Sequence, residues 1–119
     1  MASPEKQSDL PHFMILIYER EVPDSMRAAL PTVLEAHMRL PAQIAETGAR
    51  IITGNALRPA AQAISVRDNT PVRGSLADGA HTLAGYFIVG ASDLDHAVWI
   101  GRMIPVADGW VEVRPVLMN

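Results

Sequence analysis

The sequence contains no cysteine, which excludes a disulfide framework and a thiolate metal site. Aromatic residues are scarce, with two Phe, two Tyr and two Trp among 119 residues. Few rings are left for stacking on bases, and the core falls to Ile, Leu, Val, Met and Ala. Lysine occurs only as Lys6, the nine arginines are scattered, and the formal net charge is −3. No basic stripe follows a phosphate backbone, so nucleic acid is not an expected partner. Long apolar runs are also missing: the longest, Phe13 to Tyr18, is strand-sized and far short of the roughly 20 residues that span a bilayer. The opening MASPEKQSDL has no apolar stretch of the signal-peptide kind. A soluble, cytoplasmic protein without a membrane partner is expected. The length suits one packed core and not two, giving a flexible tail over 1–11 and a single domain over 12–119.

Within that domain the apolar run Phe13 to Tyr18 reads as a central strand. Asp24 and Ser25 can cap a following helix, on which Leu30, Val33, Leu34, His37, Pro41 and Ile44 form an apolar stripe and which Gly48 closes in a left-handed conformation. Arg50 to Gly54 is a second strand, Asn55 to Ala61 a link, and Ala63 to Arg67 a third strand turning at Asp68-Asn69. Pro71 to Ala80 holds two glycines and no period, so it reads as a loop with a short returning strand at its start. Leu83 to Val89 is another strand. Ser92 caps a second helix with a carboxylate three residues on, Pro105 stops it, and Trp110 to Arg114 alternates as the last strand, with Pro115 at its edge. The expected fold is α+β, a βαββαβ arrangement with an elaborated middle, in which two helices pack on one face of an antiparallel sheet. The other face then needs a cover, and a homodimer through it is the simplest.

The stretch Ala91-Ser92-Asp93-Leu94-Asp95-His96-Ala97, continuing through Arg102-Met103-Ile104-Pro105 to Val111-Glu112-Val113-Arg114-Pro115-Val116, resembles the YCII-related family, in particular its DGPF branch. The likeness extends to Phe13–Tyr18, to the helix-ending Gly48, and to Gly54-Asn55-Ala56-Leu57-Arg58-Pro59. It implies the ferredoxin-like fold assembled as a dimeric α+β barrel. The branch's D-G-P-F-A-E segment falls on Arg73-Gly74-Ser75-Leu76-Ala77-Asp78, where an arginine replaces an aspartate and reverses the local charge. The family's first-helix histidine corresponds to His37, eleven residues before Gly48. Its suspected partner aspartate is missing, since Ile104-Pro105 stands at that place.

His37 is the first catalytic candidate on physical grounds as well, because a polar ring on an apolar stripe must find a partner or a cavity. Pro41 offers no N–H to the His37 carbonyl, so a kink there can open a pocket. The competing reading is a core histidine bonded to backbone. Imidazole, with an ordinary pKa of about 6.5, serves as acid or base. Arg73, Ser75, Asp78 and His81 share the irregular loop. Asp78 and His81 form a candidate acid–base pair and Arg73 a candidate anchor for a carboxylate or phenolate, against the reading of a polar surface loop. Ser75, Asn55 and Tyr86 complete the candidate substrate-binding set. His12 and His96 read as solvated, since no HExxH or clustered histidine spacing supports a metal. Gly74 and Gly79 lack the Walker lysine and the dinucleotide fingerprint, so no cofactor is indicated. Met14, Met26, Met38 and Met103 read as core filler. The expectation is a cofactor-independent small-molecule enzyme of isomerase, lyase, dehalogenase or cyclase type. The alternative is a non-catalytic small-molecule-binding or regulatory module.

Overall fold

The computed structural model describes residues 10–21, 31–77 and 79–117, with 31–34 as backbone only. The helix caps expected at Asp24 and Ser25, the stripe residues Leu30, Val33 and Leu34, Met26, Asp78 and most of the 1–11 tail lie outside the described residues or side chains. Strand β1 (His12–Arg20) leads to helix α1 (Pro31–Glu46), then β2 (Arg50–Ala56), a short 3-10 turn (Ala60–Gln62), β3 (Ile64–Arg67), β4 (Thr70–Arg73), β5 (His81–Gly90), α2 (Leu94–Met103) and β6 (Gly109–Pro115). Four strands form an antiparallel sheet in the order β2-β5-β1-β6, and β3-β4 form a separate two-stranded hairpin. Without that hairpin the chain is a ferredoxin-like βαββαβ domain. With it, the middle is elaborated as the sequence predicts.

Alternation sorts the side chains of β1. Phe13, Ile15 and Ile17 are buried, while Met14, Leu16 and Tyr18 between them are only partly so. The buried set joins Leu40 and Ile44 of α1, Val89 of β5, and Ala97, Ile100 and Ile104 from α2 and its end in one cluster, so both helices cover the same face. The opposite face carries Met14, Leu16, Tyr18 and their register partners Ile88, Tyr86, Leu83 and Trp110.

Helix α1 runs unbroken through Pro41, which is exposed, and Leu40 takes the buried place instead. The stripe therefore keeps Ile44 and the half-buried His37 and changes at one place, with Leu40 instead of Pro41 four residues before Ile44 on the inner side. Gly48, at φ +88°, ends the helix as expected. The cap of α2 is Asp93, not Ser92: the Asp93 Oδ1 accepts from the His96 backbone N–H at 2.8 Å. Asp68 and Asn69 both have positive φ, which matches the right-handed twist of the β3-β4 hairpin they join. Strands β1, β2, β5 and β6 are each longer than predicted, so Arg20 lies on β1, Asn55 on β2, and His81 opens β5 instead of lying on a loop. Met38 is exposed rather than core, whereas Met103 packs on the core as expected.

Ile44→Ala leaves a cavity at the fully buried centre of the helix–sheet contact and is expected to cost about 2–5 kcal/mol. Met38→Ala, on the exposed side of the same helix, is expected to change stability by less than about 0.5 kcal/mol. Urea unfolding of the two variants checks both.

Candidate functional site

Three histidines differ in how many ring nitrogens the fold already uses, and that difference sorts them. His96 uses both. The Ser92 backbone N–H donates to its Nδ1 at 3.0 Å, so Nδ1 is an acceptor and the proton sits on Nε2. Nε2 in turn reaches the Thr47 Oγ1 at 2.9 Å, and the Thr47 hydroxyl donates to the Ile44 carbonyl at 2.7 Å. This chain ties the start of α2 to the end of α1. His96 is thus half-buried and engaged, not solvated as the sequence suggests, and no nitrogen is left for chemistry. His37 uses neither: its ring, half-buried on α1, makes no hydrogen bond to another described residue.

His81 uses one. Its Nε2 lies 3.2 Å from the Asp108 Oδ1, and because an ionised carboxylate only accepts, Nε2 carries the proton in that bond. Nδ1 then holds the lone pair and meets no described partner. Asp108 is itself held twice by Arg20. The Arg20 Nε donates to the Asp108 Oδ2 at 3.1 Å, and the Arg20 backbone N–H donates to the Asp108 carbonyl at 2.9 Å. The bond to His81 is the main reason the Asp108 carboxyl is held below its ordinary value of 3.8; the bond and charge of Arg20 add to it and outweigh a desolvation effect of opposite sign.

The sheet order explains why these residues meet. In β2-β5-β1-β6 the end of β1, the start of β5 and the start of β6 lie side by side, bringing Arg20, His81 and Asp108 together across long sequence separations. Gly109 makes the approach possible: a Cβ there would stand 1.9 Å from the Tyr18 carbonyl oxygen, so any other residue pushes β6, and Asp108 with it, away from β1. The His81 side chain is 24% exposed, and those of Arg20 and Asp108 are 55% and 61% exposed, so the group is partly shielded and reachable. Beside it the Glu21 Oε1 accepts from the Ala60 backbone N–H at 2.6 Å and from the Thr82 hydroxyl at 3.1 Å, anchoring the 3-10 turn to the start of β5.

The other predicted site residues fall elsewhere. Asn55 Nδ2 donates to the Tyr86 hydroxyl at 3.0 Å, pairing two of the substrate-binding candidates on the same open face as His81. They stand five residues along β5 from His81, roughly 16 Å away at the usual rise of a strand. Arg73 ends β4 and is exposed; the exposed Ser75 accepts from the Ala77 backbone N–H through its Oγ at 3.2 Å. The expected pairing of Asp78 with His81 lies outside the described residues; the described partner of His81 is Asp108. His37 sits on the helix side of the sheet, away from all of these. Also on the helix side, an open depression of about 480 Å³ is lined by Gln43, Glu46, Thr47 and Met103, none of them a predicted site residue. Among the described residues no group of three or more His, Asp or Glu is placed to hold a metal, and no helix is long and apolar enough to cross a membrane.

The residues that sequence reasoning missed are Asp108 and Arg20. The signal available was topological: in a ferredoxin-like strand order, polar residues at the end of the first strand and just before the last one are neighbours. Fold and site together define an antiparallel α+β domain with an oriented histidine at one end of the sheet face that neither described helix covers. The model of the YCII-related domain matches residues 12–118, so the chain belongs to the YCII-related family. No curated protein matches it in sequence.

The ion pair sets a pH window. A depressed carboxylate contributes fully above the unfolded value and is lost as pH falls through its folded value, so the Asp108–His81 contact is expected to survive acidification to pH 3.8. A carboxyl-carbon NMR titration of Asp108 should give a midpoint below 3.8, shifted up by Arg20→Gln and further up by His81→Phe.

Proposed function

We propose that this chain is a cofactor-independent enzyme that moves a proton on a small organic substrate, with His81 as general acid and base. The observation that carries the reading is the 3.2 Å contact between His81 Nε2 and the Asp108 carboxylate, itself fixed by Arg20. Such a contact lies at the edge of hydrogen-bond reach for an orienting partner. With Nε2–H committed to Asp108, the Nδ1 lone pair takes a proton from the substrate. The imidazolium that forms lies against the carboxylate, which lowers its cost, and the same nitrogen returns the proton at a second position. Isomerisations, eliminations (including loss of a halide) and cyclisations that pass through a carbanion or enolate begin with that step. His37, the candidate first suggested by the sequence, has no polar group to orient it among the described residues, so the acid–base role passes to His81.

The uncovered face gives the reaction its enclosure. Met14, Leu16 and Ile88 on that face are apolar and only partly buried, and an extended surface of this kind calls for a cover. A second copy packing face to face supplies it, as in the dimeric α+β barrel, and converts the end of the sheet into a closed, drier pocket in which an ion pair and a proton transfer count for more. Membership in the DGPF branch, with Arg73 in place of its aspartate, and a cytoplasmic setting belong to the same reading.

Deuterium exchange into a panel of 2-oxo acids, lactones and enol acids, followed by NMR, tests the reaction. His81→Gln and Asp108→Asn are each expected to slow exchange by about 10²–10⁴-fold, and His37→Gln by less than about twofold. If exchange is unaffected by His81→Gln, the role fails. If a panel compound binds without exchanging, the chain is a binding module. Light scattering tests the assembly: the wild type is expected to be a dimer and Leu16→Glu, which buries charge at its centre, a monomer.

A further inference from the structure

Two rings and an incompletely used cation accompany His81 at the end of the sheet. Tyr18 and Trp110 are register partners on the open face, with ring centroids 5.5 Å apart and planes inclined by 22°. The His81 ring lies 4.9 Å from Trp110 at 45°. Trp110 is nevertheless 50% exposed, so a large part of the most polarisable surface in the chain is open at this point. Arg20 spends its Nε on Asp108, and its two terminal amino groups have no partner among the described residues. In a protein with only six Phe, Tyr and Trp residues, two of them beside a guanidinium and an oriented imidazole form a recognisable set of ligand contacts.

We infer that Tyr18, Trp110 and Arg20 form a binding shelf for a flat, conjugated monocarboxylate, such as an aromatic or enol acid. The inference rests on the proposal that His81 acts on a small organic substrate, and it names the class of that substrate. Each feature of the ligand answers a feature of the shelf. A planar π system gains from an offset stack on an indole, whereas a puckered saturated ring of the same size cannot lie flat on it. A carboxylate matches the paired donors of a guanidinium in two parallel bonds. One negative charge is the limit, because Asp108 already takes a bond from the single arginine and repels a dianion such as phosphate. With its carboxylate on Arg20 and its ring on Trp110, the ligand lies beside His81.

The full-length chain carrying Trp99→Phe reports on this directly, since Trp99 is exposed on α2 and its removal leaves Trp110 as the one remaining tryptophan. Benzoate is expected to change Trp110 fluorescence saturably, while cyclohexanecarboxylate, benzamide and inorganic phosphate bind at least ten-fold more weakly. Calorimetry on Arg20→Gln and, in the background that retains Trp99, Trp110→Leu is expected to give at least a ten-fold loss of benzoate affinity for each. Equal affinity for benzoate and cyclohexanecarboxylate, or no saturable benzoate binding, overturns the shelf. These outcomes are independent of turnover. Benzoate binding together with exchange that ignores His81→Gln sinks the acid–base role alone; His81-dependent exchange without benzoate binding sinks the shelf alone.

Discussion

Because successive side chains on β1 leave opposite faces of the sheet, Phe13, Ile15 and Ile17 go beneath the helices, and Met14, Leu16, Tyr18 and Arg20 are committed to the other side. The two helices have only one apolar side each and can cover only one face. The division therefore fixes which residues hold the domain together and which are left to meet something else. Stability resides in the cluster around Ile15, Ile44, Val89 and Ile100, where the largest side chains are fully enclosed. The proposed chemistry lies on the side away from the helices, at the end where three strands bring their polar termini together.

The two histidine networks illustrate the same division. His96 joins two helices through Ser92 and Thr47, and every ring nitrogen is consumed in doing so. Its work is to fix how the ends of the helices meet. The group of Arg20, Asp108 and His81 is too exposed to add much to folding, since ion pairs in contact with water gain little over their hydrated partners. What it supplies is orientation: Arg20 grips Asp108 by main chain and side chain, Gly109 lets the strand come close enough, and Asp108 settles which nitrogen of His81 keeps its lone pair. Fixing the tautomer before a substrate arrives is the contribution a histidine base needs from its surroundings.

Much of the architecture was legible because it depends on local pattern. The apolar run of β1, the glycine ending α1, the Asp68-Asn69 turn, the Pro105 stop and the alternation of β6 each follow from short-range preference, and each is found in the structure. Errors arose where two local readings competed. Pro41 continued an apparent stripe although Leu40, its neighbour, is the buried residue, and Ser92 preceded a better cap in Asp93. The site was less legible for a different reason. Asp108 is 27 residues from His81 and 88 from Arg20, so no spacing rule connects them, and only the strand order makes them neighbours. His37 attracted attention because its surroundings were local and visible. The partner that distinguishes His81 could be found only by folding the chain.

The central claim is that Asp108 holds His81 with the proton on Nε2 and the lone pair on Nδ1. Long-range ¹⁵N–¹H NMR of the ring, in chain labelled at histidine and kept at a pH where the ring is neutral, reads the two nitrogens separately. The account predicts an Nε2–H tautomer for His81 that shifts toward a tautomer mixture in Asp108→Asn. An Nδ1–H tautomer in the wild type, or an equal mixture unaffected by Asp108→Asn, would contradict it.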